Sequence, residues 1–360
     1  MAGSDRPERE TVRPAVEDFA AIVVSWNDAE DLYAAVSSLA AARASIPAGG
    51  PSVSLTVVVN GPTRVRPEEI LARWPGATVV LNEENRGFGP AANQAAAHAS
   101  AAALLFVNPD ARAEGDVFTP LARGFRDHPE ALALAPRMLD SAGEGKDGGR
   151  PPRLAAPGRE DQFTFQLRGL PTPASDAREL LLVDHLLPNN PGRRRYRYAD
   201  RDRSRPFAVE QAAAAAFAVR ADAFRTLRGF DERFRPAWFE DVDLCARLSP
   251  LGKILYWPDA RFRHRGGISA EQLGYATFLP VYYRNALRYR RLHYGPLARA
   301  AYRVLLPAGM LLRLAVLPFR RSDPRPKGES ARAYGRVLLL ALGLSSPESQ
   351  IPDPKSSLSP

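Results

Sequence analysis

The stretch "FEDVDLCARL", Phe239 to Leu248, sets Glu240, Asp241 and Asp243 among apolar neighbours. Acidic side chains at a helix start meet unpaired backbone N–H groups and the positive end of the helix dipole. A carboxylate held there under aromatic cover, such as "RGFDERF" just upstream, can also be tuned towards general-base work. "LLFVNPDA" places Asn108 and Asp110 two apart after an apolar run. Two oxygen ligands at that spacing suit a hard divalent cation whose other positions go to phosphates and water; an ordinary Asn-Pro-Asp turn is the plainer alternative. His264 ends "ARFRH" before two glycines, where an imidazole ligand fits. Cys245 is the single cysteine, which rules out an internal disulfide and a cysteine-rich metal site.

Elements that position these residues follow from the apolar runs. "FAAIVVSW" (Phe19–Trp26), "VSLTVVVN" (Val53–Asn60), "ATVVLN", "ALLFVN" (Ala103–Asn108) and "ALALAPRML" read as buried strands, alternating with helical stretches. That alternation predicts an α/β layer with a parallel sheet, whose ligands sit beyond the carboxyl ends of the strands. Asn27, Asn60 and Asn108–Asp110 all fall at such ends. From 141 to 206 the pattern dissolves into an irregular insert, including "NNPGRRRYRYADRDRSRP" with seven arginines; such a loop is a solvated surface or a binding loop. Strands "KILYWP" and "ARFRH" and helices rich in Tyr, Arg and Leu complete the chain.

"NRGFGPAANQA" (Asn85–Ala95) has two readings. Gly87, Gly89 and Ala92 match G-x-G-x-x-A, a dinucleotide fingerprint, but that motif belongs straight after the first strand of its fold. The alternative is a glycine loop that lets the backbone pass close to a sugar nucleotide, with a helix N-terminus facing its anionic groups.

The 360 residues carry a net charge of +9, which fits nucleic acid, an anionic membrane face or a phosphorylated ligand alike. Aromatic–basic interleaving on a nucleic-acid fold is missing, so no nucleic-acid partner is expected. The polar start has no hydrophobic h-region, which places the protein on the cytoplasmic side. After the basic helix "YYRNALRYRRLHYG", the Leu-rich stretch is interrupted by Arg303, Pro307 and Arg313, so no transmembrane helix is predicted. Helices lying at an anionic membrane surface, or packed back on the main domain, are the two expectations.

Taken together, the ordered series "VVSWN", "NRGFGPAAN", "LLFVNPD", "RGFDERF", "FEDVDLCARL" and "HRGG" resembles the inverting family 2 glycosyltransferases, in particular their bacterial rhamnosyltransferase-like branch, from about Phe19 to Arg291. The resemblance implies a GT-A type, Rossmann-like mixed α/β sheet, a nucleotide-diphosphate sugar donor and a divalent metal, Mn2+ or Mg2+. By this likeness Asp110 and His264 are metal ligands, Asp241 is the base with Glu240 beside it, and Trp26, Asn27, Asn60, Asn85, Arg86, Gly87, Phe88, Gly89, Asn93 and Asn108 lie on donor-site segments. Asn108 stands where many relatives have Asp, and Val59 where members often have a base-reading Asp. The expected organisation is a disordered tail at 1–18, the transferase domain at 19–272 with its insert at 141–206, a helical, membrane-apposed region at 273–345 and a disordered tail at 346–360. A lipid-linked or polysaccharide acceptor of the cell envelope, met at the inner face of the cell membrane, is the expected partner. The competing expectations are a nucleotide-dependent oxidoreductase using "GFGPAA" and a non-catalytic basic module binding membrane or nucleic acid.

Overall fold

The computed structural model describes residues 13–26, 28–140, 162–266, 273–320 and 325–344. Of the expected tails at 1–18 and 346–360, residues 1–12 and 346–360 lie outside the described residues, as do 141–161, 267–272 and Asn27; residues 13–18 depart from that expectation, with Val16 buried and Asp18 opening the first strand. The strands are β1 Asp18–Ser25, β2 Ser52–Asn60, β3 Thr78–Asn82, β4 Ala103–Val107, β5 Ala111–Ala113, β6 Ala131–Asp140, β7 Leu167–Arg168, β8 Phe207–Val209, β9 Gln211–Ala212, β10 Ala216–Arg220 and β11 Lys253–His264. The helices are α1 Ala29–Ala44, α2 Pro67–Arg73, α3 Phe88–Ala97, α4 Phe118–Asp127, α5 Phe163–Gln166, α6 Pro173–Leu180, α7 Val183–Leu186, α8 Pro191–Tyr196, α9 Ala221–Thr226, α10 Glu240–Leu248, α11 Tyr275–His293, α12 Pro296–Val316 and α13 Lys327–Ala341.

Among the described residues the strands build a nine-stranded sheet in the order β3-β2-β1-β4-β10-β6-β11-β5, with β8 also pairing β11. β3, β2, β1 and β4 run parallel, β10 runs against β4 and β6, and β6 lies parallel to β11. This is the mixed α/β, GT-A type class that the motifs imply. Residues of β1 alternate between two cores: Phe19, Ala21 and Val23 face one, Ala20, Ile22 and Val24 the other. Burial on both faces explains why the strand reads as an unbroken apolar run.

The strand order fixes where the chemistry falls. Ser25, Asn60, Asn82 and Val107 end their parallel strands on one edge of the sheet. Antiparallel β10 opens on that edge, with Ala216 opposite Val107, and β6 and β11 end together at Asp140 and His264.

Three elements depart from the sequence-based expectation. Residues 173–196, expected as irregular, carry α6, α7 and α8. Thr172 and Ser175 cap α6 reciprocally, and Asn190 caps α8 through the N–H of Arg193. "KILYWP" and "ARFRH" are one strand, because register shifts in the β11–β6 pairing absorb Pro258 instead of breaking the ladder. Pro296–Phe319 is long and apolar enough to cross a membrane by length and composition, correcting the expectation that no such helix exists. Its Arg303 and Arg313 are too few to offset the surrounding Leu, Val and Ala.

Candidate active site

Asp110 and His264 come together because β5 pairs antiparallel with the end of β11, placing Ala111 opposite His264. Asp110 Oδ1 lies 3.3 Å from His264 Nε2, and both side chains are largely buried. The Gly266 N–H donates to Asp110 Oδ2 at 3.1 Å, and the Arg265 N–H donates to the Asp110 carbonyl at 3.2 Å. Gly266 holds φ at +67°, and a Cβ there would press to 3.3 Å from His264 Cε1. Burial alone would raise the Asp110 carboxyl, but the facing imidazole and the Gly266 N–H outweigh it and hold the group below its ordinary value.

Gln162 decides what this pair can bind. Its Nε2 donates to the His264 carbonyl at 2.6 Å, and its Oε1 lies 2.7 Å from His264 Nδ1. With the amide nitrogen committed to a carbonyl, the amide oxygen faces the ring, so Nδ1 carries a hydrogen. Nε2 then directs either a proton or a lone pair at a carboxylate oxygen. Two lone pairs at that separation repel, so the pair calls for a cation, either a proton or a metal ion. An imidazole fixed through its far nitrogen, facing a carboxylate, suits a divalent ion. Among the described residues no cluster of three His, Cys, Asp or Glu forms, so substrate oxygens and water would complete the coordination. Asn108 is held at the same turn by its N–H to the Ala215 carbonyl, 2.9 Å, while its side-chain amide has no hydrogen bond among the described residues.

Arg265 ties this corner to the start of α1. Its Nη2 lies 2.8 Å from Asp31 Oδ2, and Arg112 meets Asp31 Oδ1 at 2.7 Å. Burial and the adjacent Asp28 push the Asp31 carboxyl up to about 6, against the pull of both arginines.

Asp241 and Glu240 open α10, and the chain enters that helix through two residues in the left-handed region, Trp238 at φ 72° and Phe239 at φ 76°. Each such residue without glycine costs about 1–2 kcal/mol. Buried Asn285 on α11 holds the turn, donating to the carbonyls of Ala237 at 2.8 Å and Trp238 at 3.0 Å. Trp238 packs edge-on against Phe278, 4.7 Å between centroids. Asp241 is half-buried; its Oδ2 accepts from the Ala214 N–H at 3.2 Å. Burial raises its carboxyl above the ordinary value. Glu240 is buried with Oε2 unpartnered; burial, then the charge of Asp241, raises it well above the usual range. Asp243 turns away, pairing with Arg247 and His293 at 2.7 Å each.

Residues 211–215 join the two halves of the site. The Asn108 N–H reaches the Ala215 carbonyl, the next residue back holds Asp241, and Gln211 pairs with Arg168 of β7. Asp110 and Asp241 therefore flank one short connection.

The glycine loop docks on the turn leading to α10. Phe88 N–H donates to the Pro236 carbonyl at 2.7 Å. Gly87 holds φ at +88°, and a Cβ there would meet that carbonyl oxygen at 2.9 Å. Gly89 lets the start of α3 approach Phe230: a Cβ at this position would lie 3.3 Å from the Phe230 side chain, 3.8 Å from the Asp231 carbonyl oxygen and 3.9 Å from Glu240. Phe88 also packs edge-on against Phe230, while Arg86 is exposed. Two residues of the expected donor segments have their amides committed within the protein. The Asn60 amide donates to Asn85 Oδ1 and the Gly87 carbonyl and accepts from Asn82 Nδ2 and the Arg86 N–H, so it is spent shaping the loop. Asn85 Oδ1 also accepts from the Gly87 N–H at 2.9 Å. Asn93 is spent likewise on the Phe230 N–H, the Phe230 carbonyl and Glu232. Trp26 follows β1 directly, with its buried indole N–H unpartnered.

Gln162, Arg168, Arg265 and Asn285 were not singled out by the sequence. The signal for Asn285 was present as one amide among the Tyr, Leu and Arg of its helix; Gln162 follows a linker-like stretch and carried none.

Residues 20–178 match the family described as Glycosyl transferase family 2, so this stretch is similar to the domain of that family. No curated protein matches the chain. Among solved structures it is similar to GalNAc-T7 with UDP, GalNAc and Mn2+, at 13% identity and TM-score 0.46, covering 69% of this chain and 43% of that one. It thus spans less than half the length of that protein. It is also similar to S. aureus TarS 1-349, at 14% identity and TM-score 0.44, covering 91% and 90%. A third is the mannosyltransferase PcManGT from Pyrobaculum calidifontis in complex with GDP-Man and Mn2+, at 14% identity and TM-score 0.46, covering 91% and 86%.

Proposed function

We propose that the protein is a metal-dependent, inverting glycosyltransferase that moves a sugar, with rhamnose the first candidate, from a nucleotide-diphosphate donor to a lipid-linked cell-envelope saccharide at the inner face of the membrane. The observation that carries this reading is the shared connection 211–215, which sets the cation-seeking Asp110–His264 pair and the half-exposed Asp241 on either side of one sheet edge within or beside a family 2 domain.

Asp110 and His264 would hold a divalent ion, which when bound offsets the negative charge on a departing diphosphate. The glycine loop and the start of α3 face the donor, in a shape that Gly87 and Gly89 permit by packing closely on Pro236 and Phe230. Asp241 accepts the acceptor hydroxyl proton while that oxygen attacks the anomeric carbon from the face opposite the leaving group. A single displacement of this kind inverts the anomeric centre. Burial and the charge of Asp241 raise the Glu240 carboxyl well above the usual range, which disfavours a second negative charge beside the base.

Membrane apposition is supported by α12. Its outer stripe Leu297, Ala301, Val304, Ala308, Leu311 and Ala315, continued by Phe319 in the turn that follows, is apolar and exposed, with Leu297 88%, Val304 70% and Phe319 81% accessible. No Asp or Glu occurs from 272 to 322, where nine arginines do. Its inner face, with Tyr302, Leu306 and Met310, is buried, and Arg313 donates to the carbonyls of Leu180 and Glu179. Such a helix suits lying in an anionic interface rather than crossing it.

The test is a panel of nucleotide-diphosphate sugars with Mn2+ or Mg2+, read by thermal shift, followed by NMR assignment of the product anomer. A stabilising donor that requires metal and an inverted product support the reading; retention of configuration rejects the single displacement. The oxidoreductase alternative is disfavoured by position, because α3 follows β3 at the sheet edge rather than the first strand.

A further inference from the structure

The side of Asp241 away from Asp110 contains a guanidinium that makes no direct ion pair among the described residues. Arg168 lies on β7, paired antiparallel with β9 so that it sits opposite Gln211. Three residues further on, Ala214 holds Asp241. The guanidinium Nε of Arg168 is buried without a hydrogen-bond partner, and among the described residues Arg168 makes no ion pair. Other inward arginines are spent: Arg220 on the carbonyls of Ala131, Pro14 and Phe125, Arg290 on Asp176, and Arg313 on the carbonyls of α6.

A second cation, Arg197, lies within its electrostatic reach. The Gly169 N–H donates to the Tyr196 carbonyl at 2.7 Å, and a Cβ at Gly169 would lie 3.3 Å from Tyr196 Cδ2, so the end of α8 is docked on β7. Burial lowers the Arg197 guanidinium, and the charge of Arg168 lowers it further. The groups within electrostatic reach of Arg168 are Tyr196, Tyr282, Glu179 and Asp241. Tyr282 packs on Phe239, 5.1 Å between centroids, at the entrance to α10. A guanidinium whose buried Nε makes no hydrogen bond, walled by phenols beside a general base, has the chemistry of an anion site.

We propose that Arg168, with Arg197, Tyr196 and Tyr282, forms a subsite for a phosphate group carried by the acceptor, separate from the donor diphosphate held near Asp110 and His264. This rests on the glycosyl-transfer reading for the word acceptor, but not for the binding of the anion. A phosphate held here places the first sugar of a phosphate-linked acceptor in front of Asp241. It also gives the arginine-bearing insert a part in recognition.

Isothermal titration of the full chain with inorganic pyrophosphate, with and without Mn2+, tests the assignment. Wild type should show a metal-independent site that weakens at least about tenfold in Arg168→Gln, because a neutral amide loses the charge-assisted fork. Asp110→Asn should lose only Mn2+-dependent binding. Arg168→Lys, which keeps charge without the fork, should fall between wild type and Arg168→Gln, and it supplies the answer if the glutamine variant does not fold. Geranyl diphosphate serves as the second probe. Tighter binding than pyrophosphate that still depends on Arg168 identifies a lipid-borne phosphate, and equal binding identifies a phosphate recognised without its lipid. Metal-independent binding unchanged in both Arg168 variants overturns the subsite. Arg168-dependent binding with no Mn2+-dependent component leaves the subsite standing and removes the transferase reading.

Discussion

Asn285 Nδ2 and the Trp238 carbonyl, 3.0 Å apart, join α11 to the strained turn that launches Asp241. The same amide nitrogen bonds Ala237, so one buried side chain fixes both residues before Phe239. Asn285→Ala leaves these carbonyls unsatisfied and should cost about 1–3 kcal/mol. Thermal melting reads the loss. Because the turn aims the base, kcat should fall more than donor affinity does; equal losses in both would make Asn285 a general stability residue.

Gln162 acts on the cation through His264. Gln162→Leu removes the acceptor that fixes the ring, and metal affinity should drop about 10–100-fold, measured by Mn2+ titration. Asp110 remains in place, so binding should weaken and not vanish. Unchanged affinity would mean that Gln162 only packs.

The raised Asp241 carboxyl has a kinetic consequence. Its proton is lost above the ordinary carboxylate range, so the acid limb of the transfer profile should lie above that range. Asp241→Asn should lower transfer by about 10²–10⁴-fold with donor binding nearly intact. Wild-type rates in this variant would remove the assignment of the base.

Glu240 titrates in the opposite sense from a salt-bridged carboxylate. Its folded value is raised, so its contribution is full below the unfolded carboxylate value and is lost as pH rises through the folded one. Glu240→Gln does not titrate. Its melting temperature should gain on wild type as pH rises above the unfolded carboxylate value. A constant difference across that rise would mean that Glu240 is ionised in the folded protein.

The stripe on α12 predicts binding to phosphatidylglycerol vesicles but weak binding to phosphatidylcholine. Val304→Asp with Leu311→Asp should abolish sedimentation with anionic vesicles while leaving the melting temperature close to wild type. If the pair instead converts a dimer to a monomer, the stripe joins two copies of the chain.

Much of this site was legible before folding. β1, β2, β4 and β6 announce themselves because both faces are buried, and the turn after β4 and the end of β11 carry Asp110 and His264 in plain view. What the residues alone do not tell is direction. Asn60 and Asn93 stand where a ligand contact is reasonable, yet their amides are consumed by neighbouring loops. The helices between 173 and 196 are too short for an apolar period to show. Gln162 and Asn285 act across 102 and 47 residues respectively, separations that no local pattern encodes.

The most direct test is electron paramagnetic resonance of Mn2+ titrated with the donor nucleotide into wild type, Asp110→Asn, His264→Ala and Asp241→Asn. Wild type and Asp241→Asn should bind the ion alike, while the other two lose it. Equal binding by all four proteins would contradict a cation seated between Asp110 and His264.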